Sequence, residues 1–435
     1  MLSVSKTALQ SASGMVARAF SYTPNQWPKK DPRDIYMDFQ ATTPMDPRVL
    51  DAMLPYLTEH FGNAHSKGHS AGVIAKDAVE VAREQVASLL HCDSKEIVFT
   101  SGATESNNMA IKGTWFYHGA KKPHYITSAT EHKCVTESAR WIQSQGADVT
   151  YLDVDEFGKV NMDQLEEDLA THPDTALVSI MTANNEMGTL NPMDEIGALC
   201  KKYSAPLHTD AAQACGKIPV DVKEMGAAML SLSGHKMYGP KGVGALYVSR
   251  KPRTRLRPII SGGGQERGLR SGTLAVPLVV GLGAAAAIAE AEMEQDMAHN
   301  EKMSTILTEG LLDLPRTRLN GHPSDRIRSN VNISFEGVEG ESLMMGLNDT
   351  AVSSGSACTS ESLEPSHVLH AMGLPPELSH TSIRFGVGRF TTEKDVREVV
   401  NRVRNEVQRL RSMSPLWEML EMGIDINSIE WAEHH

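Results

Sequence analysis

Short apolar runs alternate with amphipathic stretches between about Asp46 and Arg250. Runs such as EIVFTS, HYITSAT and ALVSIMTANN each precede a stretch with apolar residues at helical spacing, as in ESNNMAIKGTW, CVTESARWIQSQG and MDEIGALCKKY. This alternation predicts an α/β domain with a mainly parallel sheet. Ligands of such sheets bind beyond the carboxyl ends of the strands, and polar residues follow several of these runs.

A different pattern begins with a long helical stretch, roughly Pro277 to Leu312, which we expect to be a connector and part of the core. Beyond it, short apolar runs and helices predict a smaller α+β domain. Its segments in order are NVNISFEG, a helix near Glu341 to Leu347, TAVSSG, a helix near Pro365 to Met372, SIRFGVG and a charged helix from Thr392 to about Arg411.

The composition of the 435 residues is typical of a globular protein, with 40% hydrophobic residues and a net charge of -12. The negative charge argues against non-specific binding to nucleic acid or to an anionic membrane. No uninterrupted apolar run approaches the roughly 20 residues that span a bilayer. The five cysteines form no CxxC pair, so neither a resident metal site nor a disulfide scaffold is predicted.

The first thirty residues differ from the rest, because their only charged side chains are basic: Lys6, Arg18, Lys29 and Lys30. Together with frequent Ser and Ala, this is the composition of an organellar presequence. The run RAF before Ser21 resembles a mitochondrial processing site, and we expect residues before about Ser21 to Trp27 to be removed. A plastid address and an ordinary N-terminal extension are the alternatives.

Lys236 follows a short apolar strand in MLSLSGHKMYGPKGVGALYV and precedes a Gly/Pro-rich turn, a setting in which an amine can form a Schiff base. Asp210 ends the run PLHTD, and a carboxylate there can pair with the protonated pyridine nitrogen of pyridoxal phosphate (PLP). His132 ends HYITSATEH, where its imidazole can stack on a pyridine ring and exchange protons near neutral pH. Taken singly, each residue has an ordinary structural explanation, so the prediction rests on the three together.

A phosphate site is predicted by EIVFTSGATESNN, which places Gly102, Ala103 and Thr104 between a strand and a helix. The free N–H groups and the positive dipole at the start of a helix favour an anion. Ser233 and His235, which flank Gly234, can add donors to the same phosphate.

These residues lie in runs that resemble the PLP-dependent class V aminotransferases, and more narrowly the mitochondrial group I (IscS-type) cysteine desulfurases. The resemblance covers the chain from Ile35 onward, and the runs are DFQATTPMDPRVLDAMLPY, SGATESNN, TEHKCV, NNEMGT, HTDAAQACGKIP, SGHKMYGPKGVGALY, GGGQERGLRSGT, SSGSACTS and SIRFGVGRFTTE. It implies a fold type I PLP-dependent transferase, like aspartate aminotransferase, with a large mainly parallel-sheet domain and a smaller α+β domain.

The resemblance implies a homodimer with PLP as the cofactor. The cofactor contacts it implies are Lys236 as the covalent anchor, Asp210 on the ring nitrogen, Gln213 on the phenolic oxygen, Ala103, Thr104, Ser233 and His235 on the phosphate, His132 on the ring, and Thr273 reaching over from a second subunit. Asn185 and Arg384 would hold the substrate, since a guanidinium grips a carboxylate with two prongs.

Cys358 lies in AVSSGSACTSESLEPSHVL among small polar residues, which predicts an exposed loop. The resemblance implies that its thiolate attacks the sulfur of L-cysteine, with Lys236 and His132 as proton carriers, giving L-alanine and a persulfide on Cys358. A harmless surface cysteine is the alternative. Buried packing is the expected role of the other four: Cys92, Cys134, Cys200 and Cys215.

The further expectations from the resemblance concern partners and location. They are a mitochondrial matrix enzyme that supplies sulfur for iron–sulfur cluster assembly and tRNA thiolation, with an iron–sulfur scaffold protein, an LYR-motif accessory protein, acyl carrier protein and frataxin as partners. Cys358 would contact a cluster iron only transiently, in a complex. Two alternatives stay open, a selenocysteine lyase with the same machinery and a non-catalytic scaffold.

The expected domain boundaries divide the chain into four parts. They are a presequence and leader at 1–34, a large PLP-binding domain at 46–295, a small domain formed by 35–45 with 296–414, and a partner-binding tail at 415–435.

Overall fold

A computed structural model of the protein describes residues 34–354 and 366–423. Its strands are β1 Ile35–Tyr36, β2 Ile97–Thr100, β3 His124–Ser128, β4 Asp148–Leu152, β5 Thr175–Ser179, β6 Leu207–Asp210, β7 Met229–Ser233, β8 Gly244–Val248, β9 Thr317–Asn320, β10 Asn330–Phe335, β11 Thr350–Ala351, β12 Ser353–Ser354 and β13 Ser382–Gly386. Its α-helices are α1 Pro47–Thr58, α2 Ser70–Leu89, α3 Ala103–His118, α4 Lys133–Ser144, α5 Met162–Thr171, α6 Met193–Lys202, α7 Val276–Leu312, α8 Gly340–Gly346, α9 His367–Ala371, α10 Pro376–His380, α11 Glu393–Arg411 and α12 Pro415–Glu421.

The first sheet has seven strands in the order β2-β8-β7-β6-β5-β3-β4. Strand β8 runs antiparallel to both of its neighbours, and the other pairs are parallel. Six strands therefore point the same way, and their carboxyl ends share one edge. The predicted α/β class with a mainly parallel sheet is confirmed.

The second sheet has four antiparallel strands in the order β12-β13-β10-β9, and β1 pairs with β11 nearby. Its hydrophobic cluster is separate from the cluster below the seven-stranded sheet and includes Ile333, Phe335, Phe385 and Val403. Helix α11 packs its buried valines into this second cluster. The apolar runs NVNISFEG and SIRFGVG thus form the strands that the sequence predicts.

Helix α7 is the long helix predicted near Pro277, and it connects the two sheets. Among the described residues it is the one helix long and apolar enough to cross a membrane, a property that buried core helices share. It packs along α1, α2 and α11. Residues on several of its faces are buried, among them Val279, Leu282, Ala286 and Leu307, as expected for a core helix.

The described part of the tail contains the short helix α12, which packs beside the end of helix α11. The Arg411 guanidinium lies 4.0 Å from the centre of the Trp417 ring, close enough for a cation–π contact. Trp417 also covers Gly337, where an added Cβ would meet the ring at 2.5 Å. The tail beyond residue 423 lies outside the described residues, as does the predicted presequence before residue 34.

Candidate active site

Loops at the carboxyl edge of the seven-stranded sheet bring the predicted polar residues together. Thr104 follows β2, His132 follows β3, Asp210 ends β6 and Lys236 follows β7. Since β2, β3, β6 and β7 all point to this edge, residues more than a hundred positions apart in sequence become neighbours. The second sheet adds one residue, Arg384 on β13.

The Lys236 amine is held by backbone carbonyls of a distant segment. A short helical turn, Gly234–Lys236, follows β7, and Lys236 Nζ donates to the carbonyl oxygens of Gln40 at 2.5 Å and Ala41 at 2.9 Å. An added Cβ at Gly234 would meet the Pro240 carbonyl oxygen at 2.9 Å, so this turn requires a glycine. The amine is half-buried at a defined position, as a covalent anchor must be.

Asp210 is a buried carboxylate with a partner on each oxygen. Its side chain is 5% exposed, Oδ2 accepts a hydrogen bond from Asn107 Nδ2 at 2.7 Å, and Oδ1 accepts from the Ala212 amide at 2.9 Å. Asp210 and Lys236 shift the pKa of His132 in opposite directions, upward and downward, which places all three groups within electrostatic reach.

His132 caps helix α4 with its ring. Nδ1 accepts a hydrogen bond from the Cys134 amide at 3.2 Å, and the Cys134 thiol lies 3.0 Å from the same nitrogen. An accepting Nδ1 carries no proton, so the neutral ring has its proton on Nε2. Burial is the main cause of a lowered pKa for His132 and keeps the ring neutral at physiological pH.

The start of helix α3 is open to an anion. Gly102 has φ of 149° and has no side chain to cap the helix, whose first residues are Ala103 and Thr104. Ser233 Oγ lies 3.7 Å from the position that a Cβ on Gly102 would take. His235 Nδ1 lies 3.1 Å from Thr42 Oγ1, and burial lowers its pKa to about 4. The glycine turn and its donors fit a phosphate.

The Gln213 side chain is held at both ends. Its Nε2 donates to the Gln40 carbonyl oxygen at 3.0 Å, and its Oε1 accepts from Lys217 Nζ at 2.8 Å. Burial, followed by the charges of Lys236 and Arg384, lowers the pKa of Lys217 to about 7.

Arg384 and Asn185 form a second polar group, with spare hydrogen-bonding capacity. Arg384 is 7% exposed, with Nη1 donating to the Asn185 carbonyl oxygen and Nη2 to Asp38 Oδ1, each at 3.0 Å. Asn185 Oδ1 and Arg384 Nε are buried without a partner. Buried polar atoms of this kind are costly, and a bound carboxylate and amine would satisfy them.

The predicted roles of two residues, Thr273 and Cys358, stay predictions. Thr273 lies in the exposed segment before α7, and its predicted reach into a second subunit stays a prediction. Cys358 lies outside the described residues. The four other cysteines are buried or half-buried, and burial raises the pKa of each thiol, to about 12 for Cys92, Cys134 and Cys200.

Four residues of the site were missed at the sequence level: Gln40, Asp38, Asn107 and Lys217. Asn107 lies one helical turn after Thr104 in SGATESNN, so its position on the same helix face was a usable signal. Lys217 follows Gln213 at a spacing of four and carried a similar signal. Gln40 acts through its backbone carbonyl, which no residue type reveals.

Comparison with known proteins identifies the relatives of this chain. The family model described as Aminotransferase class-V matches residues 35–399. The Saccharomyces cerevisiae protein named "Cysteine desulfurase, mitochondrial" is 55% identical over 97% of this chain and 84% of its own length. The human protein named "Cysteine desulfurase" is 55% identical over 92% of this chain and 88% of its own length.

Solved structures show the same fold. One, titled "NIFS-LIKE PROTEIN", superposes with a TM-score of 0.81 at 35% identity, covering 87% of this chain and 100% of that one. Another, titled "SspA in complex with cysteine", gives a TM-score of 0.73 at 38% identity, covering 82% of this chain and 100% of that one.

Proposed function

Because this chain belongs to the class V aminotransferase family, we propose that it is a PLP-dependent cysteine desulfurase, which converts L-cysteine to L-alanine and carries the sulfur as a persulfide on Cys358. The observation that carries the proposal is that Asp210 ends β6 and Lys236 follows the neighbouring parallel strand β7. The names of two relatives and the cysteine held by one solved neighbour support the choice of reaction and substrate.

The described residues fit PLP along its whole length. Ala103, Thr104, Ser233 and His235 would hold the phosphate, Gln213 the phenolic oxygen, Asp210 the ring nitrogen and Lys236 the carbonyl carbon, while His132 would cover the ring. Bound PLP supplies an electron sink that stabilises negative charge at the substrate Cα. Asp210, fixed by the hydrogen bond from Asn107, would hold a proton on the ring nitrogen.

The chain's own groups carry the substrate and the protons. Arg384 grips the α-carboxylate, and Asn185 lies beside it. Lys236 Nζ would take the Cα proton of the bound substrate. His132, with its proton on Nε2, exchanges a proton with the substrate thiol.

Sulfur transfer would be the work of Cys358. Its thiolate attacks the substrate sulfur, an S–S bond forms, and the C–S bond breaks. The electron pair of the broken bond stays with the carbon, which takes a proton and becomes the methyl group of alanine. Cys358 is left as a persulfide that an acceptor can take.

Further parts of the proposal concern assembly and location. We infer a homodimer in which Thr273 of each subunit completes the partner's phosphate site, a large domain at 46–295, and a small domain formed by 35–45 with 296–414. We also infer action in the mitochondrial matrix, a location in keeping with the mitochondrial names of relatives. Sulfur delivery to an iron–sulfur scaffold protein, with the LYR-motif protein, acyl carrier protein and frataxin as partners, completes this proposal.

The testing experiment measures alanine and sulfide released from L-cysteine, with and without a reductant. Cys358→Ser keeps the size and polarity of the side chain but removes the thiolate, so we expect the protein to stay yellow and release almost no alanine. Cys92→Ser is the matched control, because it removes a thiol away from the site, and it should behave as the wild type.

Without reductant, the wild-type peptide containing Cys358 should gain the mass of one or more sulfur atoms. Full alanine release by Cys358→Ser would overturn the sulfur-carrying role. Activity with L-selenocysteine and none with L-cysteine would make the protein a selenocysteine lyase. A colourless protein that releases no product from either substrate would make it a scaffold.

A further inference from the structure

Lys217 is a second amine in the site, and the proposed reaction gives it no task. It lies one turn after Gln213 in a compact turn, in which the Ile218 amide donates to the Ala214 carbonyl oxygen at 3.1 Å. This turn puts the two side chains on one face, and Lys217 Nζ reaches Gln213 Oε1 at 2.8 Å.

The groups that act most strongly on Lys217 are themselves cations. Burial, Lys236 after β7 and Arg384 on β13 all lower the pKa of Lys217. Cys215, in the same turn as Lys217, raises it. Lys217 in turn lowers the pKa of His235. The half-buried Lys217 amine therefore lies within electrostatic reach of the charged groups of the site.

The two partners of the Gln213 amide select one orientation. With Oε1 toward Lys217 and Nε2 toward the Gln40 carbonyl oxygen, both contacts pair a donor with an acceptor. A flipped amide would set oxygen against oxygen at Gln40 and nitrogen against nitrogen at Lys217. The Lys217 amine donates a hydrogen bond to Oε1 whether or not it is charged. The amide therefore keeps the same orientation above and below the pKa of Lys217.

The selected orientation leaves one donor for the cofactor. Nε2 carries two protons, and the Gln40 carbonyl oxygen accepts one of them. The second proton is available to the phenolic oxygen, which is the contact that the proposed function gives to Gln213. An oxygen in its place would repel that same negatively charged atom.

We propose that Lys217 is a positioning residue that holds the Gln213 amide with its nitrogen toward the phenolic oxygen of the cofactor, and thereby sets the protonation equilibrium of the lysine–cofactor linkage. This inference rests on the proposed function. When the linkage loses its proton, the phenolic oxygen keeps its negative charge uncompensated, and the Nε2 donor stabilises that state. Loss of the donor therefore moves the equilibrium to higher pH.

The test follows the visible absorbance of the PLP-loaded enzyme against pH, without substrate. Lys217→Met keeps the length of the side chain and removes the donor. We expect the pH midpoint of the absorbance change to rise by about one pH unit, which corresponds to the loss of one charge-assisted hydrogen bond. Lys217→Arg keeps a donor and should restore the wild-type midpoint. Lys202, at the end of α6, is exposed and bonded to Glu166 of α5, so Lys202→Met is the control and should leave the midpoint unchanged.

A double-mutant cycle with Gln213→Leu separates positioning from direct charge. If Lys217 acts through Gln213, adding Lys217→Met to Gln213→Leu moves the midpoint by less than about a third of its effect in the wild type. An equal shift in both backgrounds overturns the proposal, and so does an unchanged midpoint in Lys217→Met. If Lys217→Met does not fold, Lys217→Gln replaces it in the test, because its shorter side chain lies farther from Oε1. Lys217→Gln should also raise the midpoint, and an unchanged midpoint would count against the proposal.

Failure of the proposed function would look different from failure of this inference. A wild-type protein without a visible linkage, or with borohydride-fixed cofactor on a lysine other than Lys236, would remove the cofactor assignment itself. A normal wild-type spectrum with an unresponsive Lys217 would remove only the positioning role.

Discussion

The two sheets contribute to the site in different ways. The seven-stranded sheet presents loops from several strands at one edge, and these loops bear the proposed anchor, ring partner and phosphate donors of the cofactor. The four-stranded sheet contributes Arg384, whose strand neighbours Ile383 and Phe385 are buried in the second hydrophobic cluster. Because side chains alternate along a strand, Arg384 faces away from that cluster. The proposed cofactor contacts thus rest on the first core and the proposed contact of Arg384 with the substrate rests on the second, and we expect the two to respond separately to mutation.

Lys236→Ala should abolish the proposed cofactor linkage at the seven-stranded sheet and have the largest effect on activity. It removes the covalent anchor and the proton carrier together, so alanine release should fall by about 10²–10⁴-fold from the loss of acid–base catalysis alone. Borohydride treatment followed by peptide mapping should find no fixed cofactor. Lys202→Ala is the control, and retention of a reducible linkage in Lys236→Ala would contradict the assignment.

Arg384→Lys tests the proposed contribution of the four-stranded sheet to substrate binding. A lysine keeps the charge but loses the two-pronged grip, so the KM for L-cysteine should rise about 10–100-fold, as expected for charge-assisted hydrogen bonds of about 1.5–3 kcal/mol. The absorbance of the bound cofactor should not change. Arg318→Lys, an exposed position on β9 of the same sheet, is the control. An unchanged KM would remove Arg384 from the substrate site.

Acid should destabilise the seven-stranded sheet first. His208 is buried between Ser179 Oγ at 2.8 Å and Ser231 Oγ at 3.0 Å, and burial lowers its pKa to about 4. The unfolded chain binds a proton near pH 6.5 and the folded one near pH 4, so stability falls as the pH drops through that window, by up to about 3 kcal/mol. Strands β9 to β13 contain no histidine.

Two measurements check this acid effect. Urea unfolding at about pH 7.5 and about pH 5 should show the loss, and His208→Gln should reduce it. Hydrogen exchange should locate the added opening in β5 to β7. Equal acid sensitivity in wild type and His208→Gln would show that other groups carry the effect, and His124, whose pKa is also lowered to about 4 by burial, would be the next to test.

Thr392→Ala should give the smallest effect, confined to the second sheet. Thr392 and Asp395 form a reciprocal capping box at the start of α11, and losing such a cap costs about 1 kcal/mol. Urea unfolding should register this loss while the cofactor absorbance stays at its wild-type midpoint. A shifted midpoint would show that the two cores are coupled after all.

The sequence was sufficient for the class of fold and for the ends of its main strands. Each of three short apolar runs forms the expected strand, with a polar residue at or after its end: EIVFTS, HYITSAT and PLHTD. Helix α5 and strand β9 were not predicted, because both are short and only partly buried. The contact of Lys236 Nζ with the Gln40 carbonyl oxygen joins residues 196 positions apart, which local patterns do not encode. The reversed direction of β8 was not predicted either.

If Arg384 binds the substrate as proposed, its pairing with Asp38 makes substrate capture an exchange of anions. One prong of the Arg384 guanidinium, Nη2, is bonded to Asp38, so an incoming carboxylate would have to displace Asp38 to gain a two-pronged contact. The net affinity is the difference between two similar contacts, which favours weak, readily reversible capture. A decarboxylated analogue such as cysteamine brings no anion to the exchange and leaves the internal pair in place. The proposed site would therefore select α-amino acids through a competing carboxylate of its own chain, that of Asp38.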